Sequence, residues 1–232
     1  MNLYFLVEGK TESKVYPNWL RYLLPNFKRV KRYHQVNENN YYLLNARGYP
    51  RIIDEILPNA IEEINLIGRY NYLVVCLDAD EDTIEERKQE VRHHLKAIEV
   101  QLKDVELVLI VQNRCLETWL LGNRKVYKRH PHHPILVKYT QFYDVSINDP
   151  ELMGKYKGFS EHQGFHKAYF KLLCQERNIR YSEKYPGDVP QHSYLNQLQA
   201  RVADTKHLAT FGEFLDFCDR IYSHRFQKSF SR

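Results

Sequence analysis

The sequence predicts an α/β fold in which a largely parallel sheet is flanked by helices and followed by a helical C-terminal extension. Short runs of Val, Leu and Ile alternate with amphipathic helical patterns in the first half of the chain. After about residue 125 the strand patterns stop and helical ones follow. Continuous apolar strands separated by helices are typical of parallel sheets covered on both faces. We therefore divide the chain into a core at 1–125 and an extension at 126–232.

Strands and helices are predicted along the core from the apolar patterns and from the positions of two prolines. Pro17 lies early enough in its helix to be tolerated, whereas Pro58 is expected to interrupt a helical run. The predicted core elements are a strand at 3–7, a helix at 11–25, short strands at 29–36 and 40–45, a helical run at 51–67, a strand at 70–80, a helix at 83–102, a strand at 105–113 and a helix from 116. In the extension, a turn-rich stretch precedes helices near 165–177, 193–203 and 210–222.

Composition restricts the class of protein. The chain has 232 residues, 27% of them charged, and a net charge of +5, which permits nucleic-acid binding. No stretch approaches the ~20 consecutive apolar residues of a membrane span, and the N-terminus does not resemble a signal peptide. The four cysteines are scattered without a CxxC motif, which predicts reduced, packed thiols. We expect a cytoplasmic protein that does not bind a membrane.

Acidic residues follow three of the predicted strands. Glu8 comes directly after the first strand and Glu12 lies four residues on, while the strand at 70–80 runs into Asp78 and Asp80. The strand at 105–113 is followed by Arg114 and Glu117. Functional groups of α/β sheets gather at the carboxyl ends of parallel strands, and alternate residues of a strand point the same way. We therefore expect these acids to meet in one pocket.

Several carboxylates in one pocket repel each other unless a cation compensates their charge. Oxygen ligands of this kind suit Mg²⁺ or Mn²⁺, and two such ions held ~3.5–4 Å apart would stabilise the attacking and leaving oxygens of phosphodiester cleavage. The competing interpretation is that the acids of DADED cap the helix that follows. We favour capping for Asp82 and metal binding for Asp78 and Asp80.

These motifs resemble the Toprim domain family, which includes topoisomerases, bacterial primases, small RNA-maturation nucleases and OLD nucleases. VEG at 7–9 and DAD at 78–80, each ending a strand, are similar to the family's motifs. Glu8 and Glu12 match the E-G-x-x-E form of OLD-type proteins, and NRCLETWLLGN resembles a signature of small Toprim-like defence proteins, including RloB-like ones. The resemblance covers roughly residues 1–125 and implies a Toprim-like core.

The resemblance also implies roles. Glu8 would be a metal ligand or general acid/base, Asp78 and Asp80 would be metal ligands, and Glu12 and Glu117 would complete a site for two ions. A basic residue that steadies the phosphate is expected, with Arg114, Lys10 and Lys184 as candidates. Lys10 belongs to GKT, but the upstream glycine of a P-loop is missing, so we do not expect nucleotide binding there.

Two basic blocks are candidates for nucleic-acid contacts, because cations beside aromatic rings suit phosphates and bases. The competing interpretation is an ordinary solvated surface. The blocks are KRVKRYHQV at 28–36 and NRKVYKRHPHHP at 123–134, and the residues expected to contact nucleic acid are Lys28, Arg29, Lys31, Arg32, Arg124, Lys125, Lys128 and Arg129.

The expected function is a Mg²⁺-dependent endonuclease acting on DNA or RNA, tRNA included. The resemblance implies that the chain is the toxic effector of an anti-phage system and that an ABC/OLD-type ATPase partner controls it. A homo-oligomer is compatible with this role. Two other functions stay open. One is a non-catalytic Toprim-like module that binds nucleic acid or an ATPase, and the other is an RNA-maturation nuclease.

Overall fold

The computed structural model describes residues 1–98 and 100–229, with residues 224–229 described by their backbone only. The chain forms two compact units. The first comprises Met1–Leu77 and Thr83–Val111, and the second comprises Asp78–Asp82 and Gln112–Arg232. The boundary expected from sequence at 125/126 stays a prediction.

A five-stranded sheet forms the centre of the first unit, although the last residues of β4 and β5 are counted with the second. Its strands lie in the order β2-β3-β1-β4-β5, and β1 pairs in parallel with both β3 and β4. The fold is therefore α/β with a parallel sheet, as predicted. The strands are β1 (Asn2–Val7), β2 (Lys28–Arg29), β3 (Asn40–Asn45), β4 (Tyr72–Asp78) and β5 (Glu106–Gln112).

Helices cover both faces of β1, whose six residues are all buried. The helices of the first unit are α1 (Glu12–Leu23), α2 (Leu57–Ile67) and α3 (Ile84–Ala97). Tyr4 and Leu6 belong to a buried apolar cluster that includes Leu57 and Ile61 of α2. Because successive residues of a strand face opposite sides, Phe5 points to the other face. There its ring contacts Tyr41, whose hydroxyl donates to a carbonyl of α1.

The second unit is helical. Its helices are α4 (Leu116–Leu120), α5 (Pro134–Phe142), α6 (His162–Glu176), α7 (His192–Thr205) and α8 (Ala209–Ser229). Trp119 of α4 is fully buried, with ring centroids 5.1 Å from Phe211 and 6.1 Å from Phe214 of α8. Its indole N–H donates to Thr210 Oγ1 at 2.8 Å. The tryptophan therefore joins α4 to α8 by both packing and a hydrogen bond.

Three expectations about local structure are wrong. The strand expected at 29–36 is limited to Lys28–Arg29 at the sheet edge and is followed by a 3₁₀ turn at Tyr33–Gln35. The helix expected to end at 102 ends at Ala97, because the Asn65 side chain pairs with the backbone of Gln101 and Lys103 in a non-helical arrangement. Pro58 does not end its helical run, because a π-helix at Ile52–Ile56 passes directly into α2 and the proline lies in the first turn of α2.

The helix α5 was not predicted from the sequence. This helix begins in the His/Pro-rich block, where Pro134 occupies its first turn and His133 Nδ1 accepts a hydrogen bond from the Ile135 N–H. A histidine at an N-cap is not one of the preferred capping residues, so the pattern carried little signal.

All four cysteines are free and buried, as predicted. None of the helices in the described part of the chain is long and apolar enough to cross a membrane.

Candidate active site

The chain leaves β1 through a tightly held turn. The Glu8 N–H donates to the Cys76 carbonyl of β4 at 3.2 Å, which extends the pairing of the two strands by one residue. The Glu8 carbonyl accepts from the Gly48 N–H at 2.9 Å. Both backbone groups of Glu8 are thus fixed, and its half-buried side chain starts from a rigid position.

Glu12 lies against this turn. It is the first residue of α1 and only 4% exposed. A β-carbon at position 9 would overlap the Glu12 carboxylate, so this carboxylate lies directly over the Cα of Gly9. The first unit therefore brings Glu12 next to the backbone that carries Glu8. Lys10, in the same turn, is exposed.

The acidic loop Asp78–Asp82 does not continue β4. Asp78 is the last strand residue, and Asp80 has a left-handed φ of +52°. The Ala79 N–H donates to the Gln112 carbonyl and the Asp80 N–H to the Arg114 carbonyl. Asp80 therefore lies beyond the strand, so strand alternation does not apply to it, and our expectation that Asp78 and Asp80 aim into one site stays a prediction. The loop is instead shaped by the backbone that follows β5.

Asp82 does not cap α3. The N-cap is Thr83, whose Oγ1 accepts from the Glu86 N–H at 3.2 Å, while the Glu86 carboxylate accepts from the Thr83 N–H at 2.8 Å. The expectation that Asp82 serves as the cap is therefore wrong.

Two side chains hold the acidic loop from within the second unit. Arg114 Nη1 donates to the carbonyls of Asp80 at 2.9 Å and Asp82 at 3.3 Å. At the start of α6, both the backbone N–H and the ring of His162 bond to the Glu81 carboxylate, at 2.6 and 2.8 Å. Burial alone would raise the pKa of Glu81, but the bonds from His162 outweigh it and lower that pKa.

Glu117 is buried in α4 with 3% exposure. The Tyr181 hydroxyl donates to Glu117 Oε1 at 2.7 Å, and the Tyr181 ring is held edge-on against Phe170. Burial, followed by the charge of Glu117, raises the pKa of Tyr181 far above its usual value, so the hydroxyl stays protonated and acts as the donor of this hydrogen bond. Tyr181 is thus an orienting partner that the sequence analysis missed.

Among the charged neighbours of Lys167 in α6, Glu117 has the largest effect on the pKa of this lysine. Burial would lower the pKa of Lys167, but the charges of Glu117, Asp78 and Glu183 raise it above the usual value, so its ammonium stays charged. The same surroundings keep Cys115 a neutral thiol, because burial and the charges of Glu117 and Asp78 raise its pKa. Lys167 was also missed, since nothing in the sequence links residue 167 to residue 117.

A cavity of about 350 Å³ opens beside Glu117 within the second unit. We call it the lysine pocket, and its lining residues are Glu117, Lys167, Lys171, Tyr181, Ser182, Glu183 and Lys184. Lys184 was one of three basic residues expected to steady a phosphate. It lines the same cavity as Glu117, a candidate metal ligand.

The two basic blocks differ in their surroundings. Lys28, Arg29, Lys31 and Arg32 are exposed on and after the edge strand β2, and none of the four makes an ion pair with any residue that the structure describes. In the second block, Lys128 Nζ lies 2.9 Å from Glu176 and Arg124 lies 3.8 Å from Asp204. Backbone bonds from His132 and the contact with Lys128 lower the pKa of Glu176 to about 2, so this partner is fully charged. Lys125 and Arg129 are exposed.

Among the side chains that the structure describes, those of residues 1–98 and 100–223, no group of three or more His, Cys, Asp or Glu is gathered closely enough to hold a metal ion. The two-ion site that would join Glu8 and Glu12 to Asp78, Asp80 and Glu117 therefore stays a prediction.

Comparisons of this chain with models of known protein families, with curated proteins and with solved structures return no match.

Proposed function

We propose that this chain is a metal-dependent nuclease that hydrolyses phosphodiester bonds in DNA or RNA. The observation that carries the proposal is the burial of two glutamates just beyond strand ends, Glu12 after β1 and Glu117 after β5. A buried carboxylate is costly unless hydrogen bonds or a cation compensate its charge. A buried carboxylate just beyond the carboxyl end of a strand, where α/β proteins carry their chemistry, favours a functional role.

The candidate ligands have the chemistry that Mg²⁺ and Mn²⁺ require. Every candidate ligand is a carboxylate, and hard oxygen ligands are those that Mg²⁺ and Mn²⁺ prefer. Asp78, Asp80 and Glu117 are the candidates of the second unit, and Glu8 and Glu12 are those of the first. When bound, the ions would stabilise the charge on the attacking and leaving oxygens.

The residues of the chain have their own tasks in this proposal. Tyr181 orients Glu117 by its hydrogen bond, which is the way in which outer partners fix metal ligands. Arg114 holds the loop that carries Asp80, so we assign it a positioning role in place of direct phosphate contact. Glu8 is the candidate general acid/base on the basis of the family resemblance alone.

The proposed partners rest on surface charge and on the resemblance. The exposed block at 28–32 would follow a nucleic-acid backbone, because its four cations have no carboxylate to neutralise them within the described part of the chain. The resemblance to small Toprim defence proteins suggests control by an ATPase partner. Four free, buried thiols are compatible with a reducing compartment, and we propose the cytoplasm.

Cleavage of plasmid DNA and of total tRNA in Mg²⁺ or Mn²⁺ tests the proposal. We expect Asp80→Asn and Glu117→Gln to lower the rate at least ~100-fold, as loss of a charge-stabilising group does. Glu62→Gln, on the exposed face of α2, is the matched control and should cleave like the wild type.

A second measurement, thermal unfolding with added metal, applies even where the enzyme is inactive without its partner protein. Mg²⁺ or Mn²⁺ should stabilise the wild type through linkage, by ~2.7 kcal/mol at a concentration 100 times the dissociation constant, which is seen as a higher melting temperature. The ions should not stabilise Asp78→Asn. Binding of nucleic acid with neither cleavage nor metal stabilisation would support the non-catalytic module. Cleavage confined to an RNA precursor would support the maturation nuclease.

A further inference from the structure

The lysine pocket gathers three ammonium groups from two segments of the chain. Lys167 and Lys171 are four residues apart on α6, a spacing that places both on one face of the helix. Lys184 and Ser182 come from the segment that follows α6. The Ser182 hydroxyl oxygen accepts from the Tyr185 N–H at 3.0 Å, which leaves its proton to be donated elsewhere. The pocket therefore presents several donors toward one space.

The carboxylates of the pocket act mainly on Lys167. Glu183 lies 3.8 Å from Lys167 Nζ, and Lys167 also donates to Gln163 at 3.0 Å. Glu117 is engaged by Tyr181. Lys171, by contrast, is exposed and makes no ion pair with any residue in the described ranges. Three ammonium groups and two carboxylates line the pocket, and neither carboxylate forms an ion pair with Lys171, so this ammonium can face a bound anion.

We propose that the lysine pocket binds a phosphate group of a nucleic-acid strand, with Lys171 and Lys184 as its main ligands and Glu183 as a carboxylate that weakens this binding. Ammonium and hydroxyl donors converging on a cavity of this size suit a phosphate, and a lysine contacts it as a point charge. The choice of nucleic acid as the source rests on the proposed nuclease function, because Glu117 lines the same cavity.

The pocket would then place a phosphate next to a candidate metal ligand. Lys171 and Lys184 are binding residues in this proposal and make no contact with the reacting atoms. Their loss should therefore raise KM with little change in kcat, which a purely structural defect would not do.

Fluorescence anisotropy of a short single-stranded oligonucleotide, measured with the full chain and EDTA, tests the proposal. We expect Lys171→Gln and Lys184→Gln each to weaken binding several-fold and to lower the slope of log K against log salt by about 0.7. Glu183→Gln should tighten binding, because it removes a repelling charge. Lys157→Gln, an exposed lysine of the same unit outside the pocket, is the matched control.

Three outcomes would overturn the proposal: no binding by the wild type, affinities of the two lysine variants equal to that of Lys157→Gln, or weaker binding by Glu183→Gln. Competition by inorganic phosphate, and comparison of oligonucleotides with and without a 5′-phosphate, separates a terminal phosphate from an internal one. Pocket-dependent binding in EDTA, together with no cleavage once Mg²⁺ or Mn²⁺ is supplied, would contradict the nuclease alone. Cleavage unaffected by the lysine variants would contradict the pocket alone.

Discussion

Gly9 shows how a single hydrogen in place of a side chain can decide the position of a carboxylate. Its φ lies outside the left-handed region, so conformational freedom does not explain the glycine. The space above its Cα is occupied by the Glu12 carboxylate. A glycine is required here because the carboxylate and the backbone approach each other closely.

Replacing this glycine should therefore disturb Glu12 in particular. We expect Gly9→Ala to displace the Glu12 carboxylate and to abolish the rise in melting temperature caused by Mg²⁺ or Mn²⁺. Gly164→Ala is the control, since its β-carbon would meet only Phe159 at an ordinary 3.6 Å and should stabilise α6 by up to about 1 kcal/mol. An unchanged metal response in Gly9→Ala would show that Glu12 is not a ligand.

At the scale of the elements, α4 and α6 are joined by a buried chain of hydrogen bonds. The Thr118 hydroxyl bonds to His166 Nδ1 at 2.8 Å, and His166 Nε2 bonds to the Met153 carbonyl at 3.2 Å. Because a carbonyl can only accept, Nε2 carries the proton and the neutral ring accepts from Thr118 at Nδ1. The neutral imidazole thus satisfies both hydrogen bonds without placing a charge in this buried site.

This link predicts a loss of stability in acid. Burial, aided by the charge of His162, lowers the pKa of His166 to about 4. The stability that His166 contributes is present above its usual pKa of 6.5 and is lost as the pH falls toward 4. Chemical unfolding should show the difference between wild type and His166→Gln shrinking over this range, by on the order of 3 kcal/mol. The exposed His130→Gln should show no such change, and a constant difference for His166→Gln would contradict the prediction.

The start of α3 depends on a reciprocal pair of hydrogen bonds. We expect Thr83→Ala to lower the free energy of unfolding by about 1 kcal/mol, because the Glu86 N–H loses its acceptor. Chemical denaturation measures this, with the exposed Gln89→Ala of the same helix as a control that should stay within about 0.5 kcal/mol of the wild type. Equal stability of Thr83→Ala and the control would show that another residue begins the helix.

At the scale of the whole molecule, the net charge of +5 includes basic residues with carboxylate partners and basic residues that make no ion pair in the described part of the chain. The block at 28–32 has four exposed cations without ion pairs among the described residues, whereas Lys128 and Arg124 of the other block have carboxylate partners. Counterion release depends on cations that can neutralise phosphates. The two blocks should therefore contribute unequally to nucleic-acid binding.

Replacing each block's four basic residues by glutamine tests this difference. We expect the variant of Lys28, Arg29, Lys31 and Arg32 to lower the slope of log K against log salt on duplex DNA by up to about 0.9 per lost contact. The variant of Arg124, Lys125, Lys128 and Arg129 should lower it less. Equal slopes for the two variants would contradict the prediction, and no effect of either would favour an ordinary solvated surface.

The sequence by itself determined the α/β class, the buried strands and the acids that follow them. These features depend on neighbouring residues, because apolar runs and helical periodicity express which side of an element is buried. The four buried thiols were predicted for the same reason. Local competition was harder to foresee, as when Thr83 capped α3 instead of Asp82, or when Asn65 held residues 101–103 out of a helix.

Only the tertiary structure decided how the acids are supported. Tyr181 reaches Glu117 across 64 residues of sequence, and Arg114 turns back onto the carbonyls of the acidic loop. Lys167 stays charged because carboxylates distant in sequence surround it. Contacts of this kind arise when separate segments fold together, and no pattern in either segment encodes the partner. The chain's acids could thus be read from its sequence, but the groups that orient and balance them could not.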